Sequence, residues 1–263
     1  MSDQFVPVNE VKWVKTKINR TYQEGPIENH KWDYEIMLPD FLAEWDALDM
    51  WEVERFNSMR DNLKQGDILF DIGSEVGWCS VIYSNFVGAE NMVLIEPTPE
   101  FFANIYQTWK ANGLADPKAC YLGLFSDKTI TPKKIDFDNT YRAVFPSVAY
   151  AGQIIDKMKY RYIHEHANST PQITIDDYVE KSGIVPDALT MDTEGSELLI
   201  LRGAEKTLKK YQPKLWVSVH PDLGLRDYGI KATDTIKYLT DLGYKALFLA
   251  TDHEQHWYFE AIK

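Results

Sequence analysis

Cysteine is scarce in these 263 residues: Cys79 and Cys120 are the only two, and neither belongs to a C-x-x-C pair or has histidines at zinc-ligand spacing. No disulfide framework or structural zinc is expected, and a reducing compartment is. Basic charge is also short. Twenty-eight Lys+Arg against 40 Asp+Glu leave a net charge of −12, which repels phosphate backbones and anionic bilayers, so neither a nucleic-acid nor a membrane partner is expected. No apolar stretch approaches the roughly 18 residues of a membrane span, and the first residues show neither the basic start nor the apolar run of a secretion signal. A cytoplasmic location is the expectation. Repeats, heptads and biased tracts are lacking too, which excludes solenoids and coiled coils. What is present, 44% hydrophobic and 26% charged residues, is globular in composition, and at this length folding buries roughly three-quarters of the unfolded surface. That suffices for one large α/β domain and an extension.

Residues 1–50 read as an N-terminal extension or cap and 51–263 as the main domain, with the change of texture near Gly66. The extension mixes carboxylates with Trp13, Trp32 and Trp45, followed by Trp51, and its only helical periodicity runs from about Phe41 to Leu63. These aromatics are expected to pack the extension onto the core or to stack on sugar rings. From Asp67 onward short apolar runs alternate with amphipathic stretches, which predicts an α/β fold with a mostly parallel sheet. Strands are expected at Ile68–Asp71, Met92–Glu96, Tyr121–Phe125, Ala188–Asp192 and Leu215–Val219. Thr98 and Pro99 start a helix that Asn112-Gly113 ends, Thr174-Ile-Asp-Asp offers a capping box, and Leu198, Leu201, Ala204 and Leu208 form an apolar helical stripe broken at Pro213. The last two strands, near 245–250 and 256–262, are too close for a crossover and must pair antiparallel. The long stretch from about Ser126 to Gln172 exceeds an ordinary connection and is expected to contact substrate.

The most informative segment is Ile68-Leu-Phe-Asp71-Ile-Gly73-Ser74-Glu75-Val-Gly77-Trp, a strand entering a glycine turn and then a helix. In open parallel sheets ligands bind at the carboxyl ends of strands, and this first turn is the usual place. A dinucleotide site wants three glycines so that backbone N–H groups can approach a pyrophosphate. Here Asp71 takes the first position and Glu75 lies in the loop, so a dianion meets Coulomb repulsion. The same turn suits a ligand with cationic groups and no phosphate, such as S-adenosylmethionine with its sulfonium and ammonium. Glu96 ends the next strand and can accept both hydroxyls of a ribose, which fits NAD equally.

Asp192-Thr-Glu194-Gly195-Ser-Glu197 follows directly on the fourth strand, and His220 ends the fifth. Asp192, Glu194 and His220 are therefore expected on one edge as a catalytic constellation. Methyl transfer to a hydroxyl requires in-line alignment and removal of a proton from a weak acid. His220 could act as base with Asp192 or Glu194 fixing its tautomer, or Asp192 and His220 could hold a divalent cation. The residues leave both open. Glu197 reads as evenly split between a role in the site and a favourable charge at a helix N-terminus. His164 and His166 read as solvated loop residues before metal ligands.

These motifs resemble the FkbM family of S-adenosylmethionine-dependent methyltransferases. The similarity runs from about Trp51 through the glycine turn, Ile95-Glu-Pro-Thr-Pro-Glu-Phe-Phe, Leu124-Phe-Ser-Asp127 and Thr174-Ile-Asp-Asp-Tyr. It peaks at Met191-Asp-Thr-Glu-Gly-Ser-Glu-Leu-Leu-Ile-Leu-Arg-Gly-Ala. Residues 1–50 and 128–172 have no counterpart. The resemblance implies a Rossmann-like seven-stranded methyltransferase sheet with an antiparallel C-terminal hairpin, and O-methylation of a sugar, glycan or similar small molecule. It implies that Asp71, Gly73 and Gly77 line the methionine moiety, with Ser74 and Glu75 in the same turn. Glu96 and the adjoining Pro97 would serve the ribose, Asp127 the adenine edge, and Asp192 would lie beneath the transferred methyl. Ser74-Glu75 replaces the family's usual Ala-Asn, and His220 stands where many relatives place a glutamate. Some related small-molecule O-methyltransferases hold magnesium with acids at the ends of the fourth and fifth strands. The alternatives are a nicotinamide oxidoreductase and a catalytically silent cofactor-binding domain.

Overall fold

The structure, a computed structural model, describes residues 13–20, 32–39, 52–130, 141–142, 154–155, 171–251 and 254–262. Its centre is a seven-stranded sheet built from β3 (Leu69–Ile72), β4 (Met92–Glu96), β5 (Ala119–Leu122), β10 (Ala188–Asp192), β11 (Lys214–Val219), β12 (Tyr244–Thr251) and β13 (Gln255–Ala261). The spatial order is β12-β13-β11-β10-β3-β4-β5. The five strands from β11 to β5 run parallel, and the terminal hairpin pairs antiparallel with itself and with β11. The chain therefore winds outward from β3 in one direction and resumes on its other side at β10. That reversal between β3 and β10 is where an open sheet leaves a crevice above its strand ends.

Apolar side chains clad both faces, as the near-continuous hydrophobic strands require. On one face α1 (Val53–Asn62), α2 (Trp78–Val87) and α3 (Pro99–Ala111) contribute Phe56, Met59, Val81, Tyr83, Ile105 and Trp109, packed with Leu69, Leu94 and Trp216. On the other, α4 (Ile175–Ser182), α5 (Glu197–Arg202), α6 (Glu205–Tyr211) and α7 (Ala232–Asp241) cover Phe70, Ile72, Val93, Leu189 and Val217 through Tyr178, Ile200, Leu201, Leu208 and Leu239. The stripe of Leu198, Leu201, Ala204 and Leu208 is buried as expected, although it spans two short helices, α5 and α6, where one was read. Thr174 caps α4 by accepting from Asp177 N, and Gly183 closes it in the left-handed region. Such a cap satisfies an otherwise orphaned N–H at the start of the helix.

Two features differ from the sequence reading. The extension contains an antiparallel hairpin, β1 (Trp13–Arg20) with β2 (Trp32–Pro39), where the sequence shows only helical periodicity, and α1 falls in the described part of that periodic stretch. Asn112 ties β2 to the end of α3 by accepting from Met37 N at 2.8 Å and donating to Met37 O at 3.0 Å. The run Tyr121–Phe125 divides at Gly123 into β5 and β6 (Leu124–Phe125), because β6 leaves the main sheet to pair with β9 (Gln172–Ile173). Of the long segment before β9, only β7 (Tyr141–Arg142) paired with β8 (Ile154–Ile155) is described beyond residue 130. His164, His166, Trp45 and Trp51 lie outside the described residues, as does most of the stretch expected to contact substrate.

Candidate active site

The glycine turn after β3 is tied to the neighbouring strand. Gly73 N and Ser74 N both donate to Ile95 O, Ile95 N donates to Ser74 Oγ, and Ser74 Oγ donates to Asp71 O at 2.8 Å. Gly73 and Gly77 both have φ +84, and a Cβ on Gly73 would stand 1.9 Å from the carbonyl oxygen of Asp192. Glycine here lets β3 and β10 close on one another at the floor of the crevice. Glu75 has φ +49 and Glu194 φ +55, an uncommon conformation for glutamate that costs of order 1 kcal/mol or more and concentrates at functional sites.

Glu96 is buried at the end of β4. Its Oε2 accepts from Glu75 N at 2.9 Å and its Oε1 from Thr98 N at 2.7 Å, so the acid holds the glycine turn and the start of α3 together. Each carboxylate oxygen keeps a further lone pair for an outside donor. Burial pushes its pKa up to about 8, against the lowering effect of those N–H donors. Pro97 is half-buried in the loop just beyond. Asp71 is also buried, and burial raises it to about 6, although it accepts from Ser80 Oγ and faces the Arg55 guanidinium. It is thus engaged inside the fold, beneath the turn. Crowding by protein raises Glu75 as well, with Glu52 and Glu194 adding repulsion. Asp127 is exposed past β6, where Ser126 Oγ approaches its Oδ1 at 3.4 Å. The described contacts do not bring it to the acidic cluster.

Asp192, Glu194 and His220 do converge. His220 Nε2 lies 3.4 Å from Asp192 Oδ1 and 3.7 Å from Glu194 Oε2. The tautomer, however, is held by neither of these acids. Glu197, buried at the start of α5, accepts from Gly195 N at 3.0 Å and meets His220 Nδ1 at 2.8 Å. This corrects the expectation that Asp192 or Glu194 orients the ring, and it gives Glu197 a definite place in the site. Burial alone would lower the pKa of His220, but the Glu197 hydrogen bond and the carboxylates of Asp192, Glu197 and Glu254 raise it to about 9. Asp192 is raised to about 7 by burial and by Glu52, with Arg55 and His220 opposing.

Sequence reasoning missed the groups below and beside this cluster. Arg55, on α1, is buried among the strands: it donates to Glu52 Oε2 at 2.7 Å, Ser218 Oγ at 2.9 Å and Thr190 Oγ1 at 2.5 Å, and stands 3.8 Å from Asp192 Oδ2. Burial disfavours its charge, yet Glu52, Tyr83 and Asp192 hold it firmly protonated. Glu254, between β12 and β13, is buried with its Oε2 3.9 Å from His220 Nε2 and its Oε1 3.8 Å from His256 Nε2. The available signal was Thr190 and Ser218, two polar residues in otherwise apolar central strands, since such hydroxyls need a buried partner. Acids outnumber cations around the crevice, so the site as built favours a positively charged occupant.

The fold is thus a doubly wound α/β sheet with an acid-lined crevice where the strand order reverses. A family model described as the methyltransferase FkbM domain matches residues 71–246, and the chain belongs to that family. Among solved structures it is similar to methyltransferase FkbM from Methylobacillus flagellatus (16% identity, TM-score 0.49, 75% of this chain). This chain spans only 44% of that protein's length. It is similar also to precorrin-6y C5,15-methyltransferase from Geobacter metallireducens (12%, TM-score 0.45, 80% and 87% of the two chains). A third is Aeropyrum pernix fibrillarin, solved with natively bound S-adenosyl-L-methionine (12%, TM-score 0.40, 75% and 67%). No curated protein sequence matches the chain. Among the described residues, no helix is long and apolar enough to cross a membrane.

Proposed function

We propose that the protein is an S-adenosylmethionine-dependent O-methyltransferase acting on a hydroxyl of a sugar, glycan or similar small molecule. The observation that carries this reading is the acid-lined crevice between β3 and β10, with Asp192, Glu194 and His220 gathered at its edge. The residues fit the cofactor. Glu96 keeps accepting capacity for two ribose hydroxyls, and the negative charges of Glu75, Asp192 and Glu194 complement a sulfonium and an α-ammonium while opposing a diphosphate. When bound, the donor supplies an activated methyl group. The chain's own part is to align an acceptor oxygen along the sulfur–methyl axis and to receive the hydroxyl proton. The cluster is suited to that task because its imidazole and carboxylates converge at the crevice edge, His220 Nε2 lying 3.4 Å from Asp192 and 3.7 Å from Glu194, and because Asp192, raised to about 7 by burial, can accept a proton near neutral pH.

Calorimetry with S-adenosylhomocysteine and with NADH tests the donor class. Binding of the first and not the second is expected, and the reverse result would return the protein to the oxidoreductases. With a saccharide panel as acceptors, His220→Ala and Asp192→Ala should each lower turnover by about 100-fold or more while S-adenosylhomocysteine still binds. Unchanged turnover in both variants excludes this cluster from the chemistry. Cofactor binding without turnover on any hydroxyl acceptor would point to a silent cofactor-binding domain.

A further inference from the structure

We infer that Asp192, His220 and Glu254 form a divalent-cation site, with Glu197 as the residue that aims the histidine. Ligand atoms of these three side chains all lie within 4.8 Å of one another. They come from three separate places, the end of β10, the end of β11 and the turn between β12 and β13, so only the assembled sheet brings them together.

The two nitrogens of His220 are treated differently. Nδ1 makes a well-formed 2.8 Å contact with Glu197 Oε1, whereas Nε2 faces Asp192 Oδ1 at 3.4 Å, Glu194 Oε2 at 3.7 Å and Glu254 Oε2 at 3.9 Å. The latter distances exceed those of good N–H···O hydrogen bonds, which are about 2.7–3.2 Å. The 3.4 Å separation is that of ligands sharing one ion, since at about 2.1 Å from a cation neighbouring ligand atoms lie about 3.0–3.4 Å apart in octahedral or tetrahedral geometry, and Glu254 would move in by about 0.5 Å or more to join them. A carboxylate on the remote ring nitrogen is the common outer partner of a metal-ligating histidine, because it fixes Nδ1 as the nitrogen that keeps its proton, so that a cation displacing the Nε2 proton meets a lone pair already aimed at it. Glu197 is buried and is itself held by Gly195 N, so the imidazole is fixed before any ion arrives. One imidazole and two carboxylates suit Mn2+, Mg2+ or Zn2+ rather than a soft ion. Glu194, mostly exposed and held in the left-handed region, borders the open side, where an acceptor would approach. A cation there polarises and acidifies a hydroxyl placed against it. That role rests on the methyl-transfer reading; the binding site itself does not.

The test uses the untagged full chain and Mn2+ alone. Electron paramagnetic resonance titration should show one Mn2+ bound per chain, with nitrogen modulation in the pulsed spectrum from a single imidazole. Glu254→Gln and Asp192→Asn should each weaken binding by 10-fold or more, and Glu197→Gln by a similar factor although it touches no ion. Calorimetry with S-adenosylhomocysteine on the same samples keeps the two readings separate: retained binding of that nucleoside without Mn2+ binding overturns the cation site alone. Absence of nitrogen modulation in the wild-type chain, or Mn2+ affinity unchanged in folded Glu254→Gln, also overturns it. If a variant does not fold, the wild-type spectrum decides.

Discussion

Gly73 shows how far one side chain can decide this site. A methyl group there would meet the Asp192 carbonyl at 1.9 Å in a backbone conformation that L-residues avoid, so β3 and β10 would have to part at the crevice floor. Gly73→Ala is expected to lower stability by about 3 kcal/mol or more, read from chemical denaturation. Glu96 acts through charge instead. Its ionised form accepts ribose hydroxyls better than its neutral form, and burial places the change near pH 8. Affinity for S-adenosylhomocysteine should therefore rise as pH increases toward 8, with release of a proton on binding. Glu96→Gln should weaken it about 10- to 100-fold and flatten that pH dependence. Titration calorimetry in buffers of different ionisation enthalpy reads both effects. Residues of this kind were legible in the sequence because the signal is local: Asp71, Gly73, Glu96, Asp192 and His220 each sit at or next to the carboxyl end of an apolar strand, the edge where an open sheet forms its crevice. Roles set by distant partners were not, which is why Glu197 took the tautomer-fixing place assigned to Asp192 or Glu194.

At the scale of elements, α1 is more than a cover for the sheet. Arg55 reaches from it to Thr190 on β10 and Ser218 on β11, and lies near Asp192 at the edge of the crevice. Helix and strands are thus joined by a buried cation as well as by Phe56 and Met59. Removing that cation leaves the buried carboxylates of Glu52 and Asp71 without their positive neighbour. Arg55→Ala is expected to cost about 3–5 kcal/mol, whereas Arg60→Ala, exchanging a partly exposed arginine that pairs with Asp61 on the same helix, should cost less than about 1 kcal/mol. Equal losses in thermal or denaturant unfolding would show that α1 is held by its apolar face alone. The periodicity of α1 was visible, but an arginine in an amphipathic helix reads as a surface residue, and nothing in its neighbourhood reveals that it turns inward. Glu254 was hidden for a similar reason. Its reach to His220 depends on β13 pairing with β11, a non-local register that no short motif encodes.

Across the whole molecule, the concentration of acid around one crevice makes stability depend on pH in an unusual sense. Asp71, Asp192 and Glu96 titrate at about 6, 7 and 8 in the folded chain, above their ordinary values of 3.8, 3.8 and 4.5, because burial opposes their charge. The folded state therefore holds protons that the unfolded chain has already lost, and stability present below pH 4 declines as pH rises through 6 to 8. His220 acts in the same direction. Raised from 6.5 to about 9, it contributes fully below 6.5 and loses that contribution as pH passes 9. A net charge of −12 adds general repulsion in the same range. The ligand-free protein, melted in the presence of chelator, should lose roughly 5–10 °C between pH 6 and pH 9. S-adenosylhomocysteine should restore more of that loss at pH 9 than at pH 6, since its ammonium and ribose hydroxyls stabilise the ionised acids and binding to the folded state alone raises the melting temperature. A melting temperature that is flat or rising between pH 6 and 9 would mean that the crevice acids are ionised at little cost before any ligand arrives, and the electrostatic preference for a cationic donor would lose its basis.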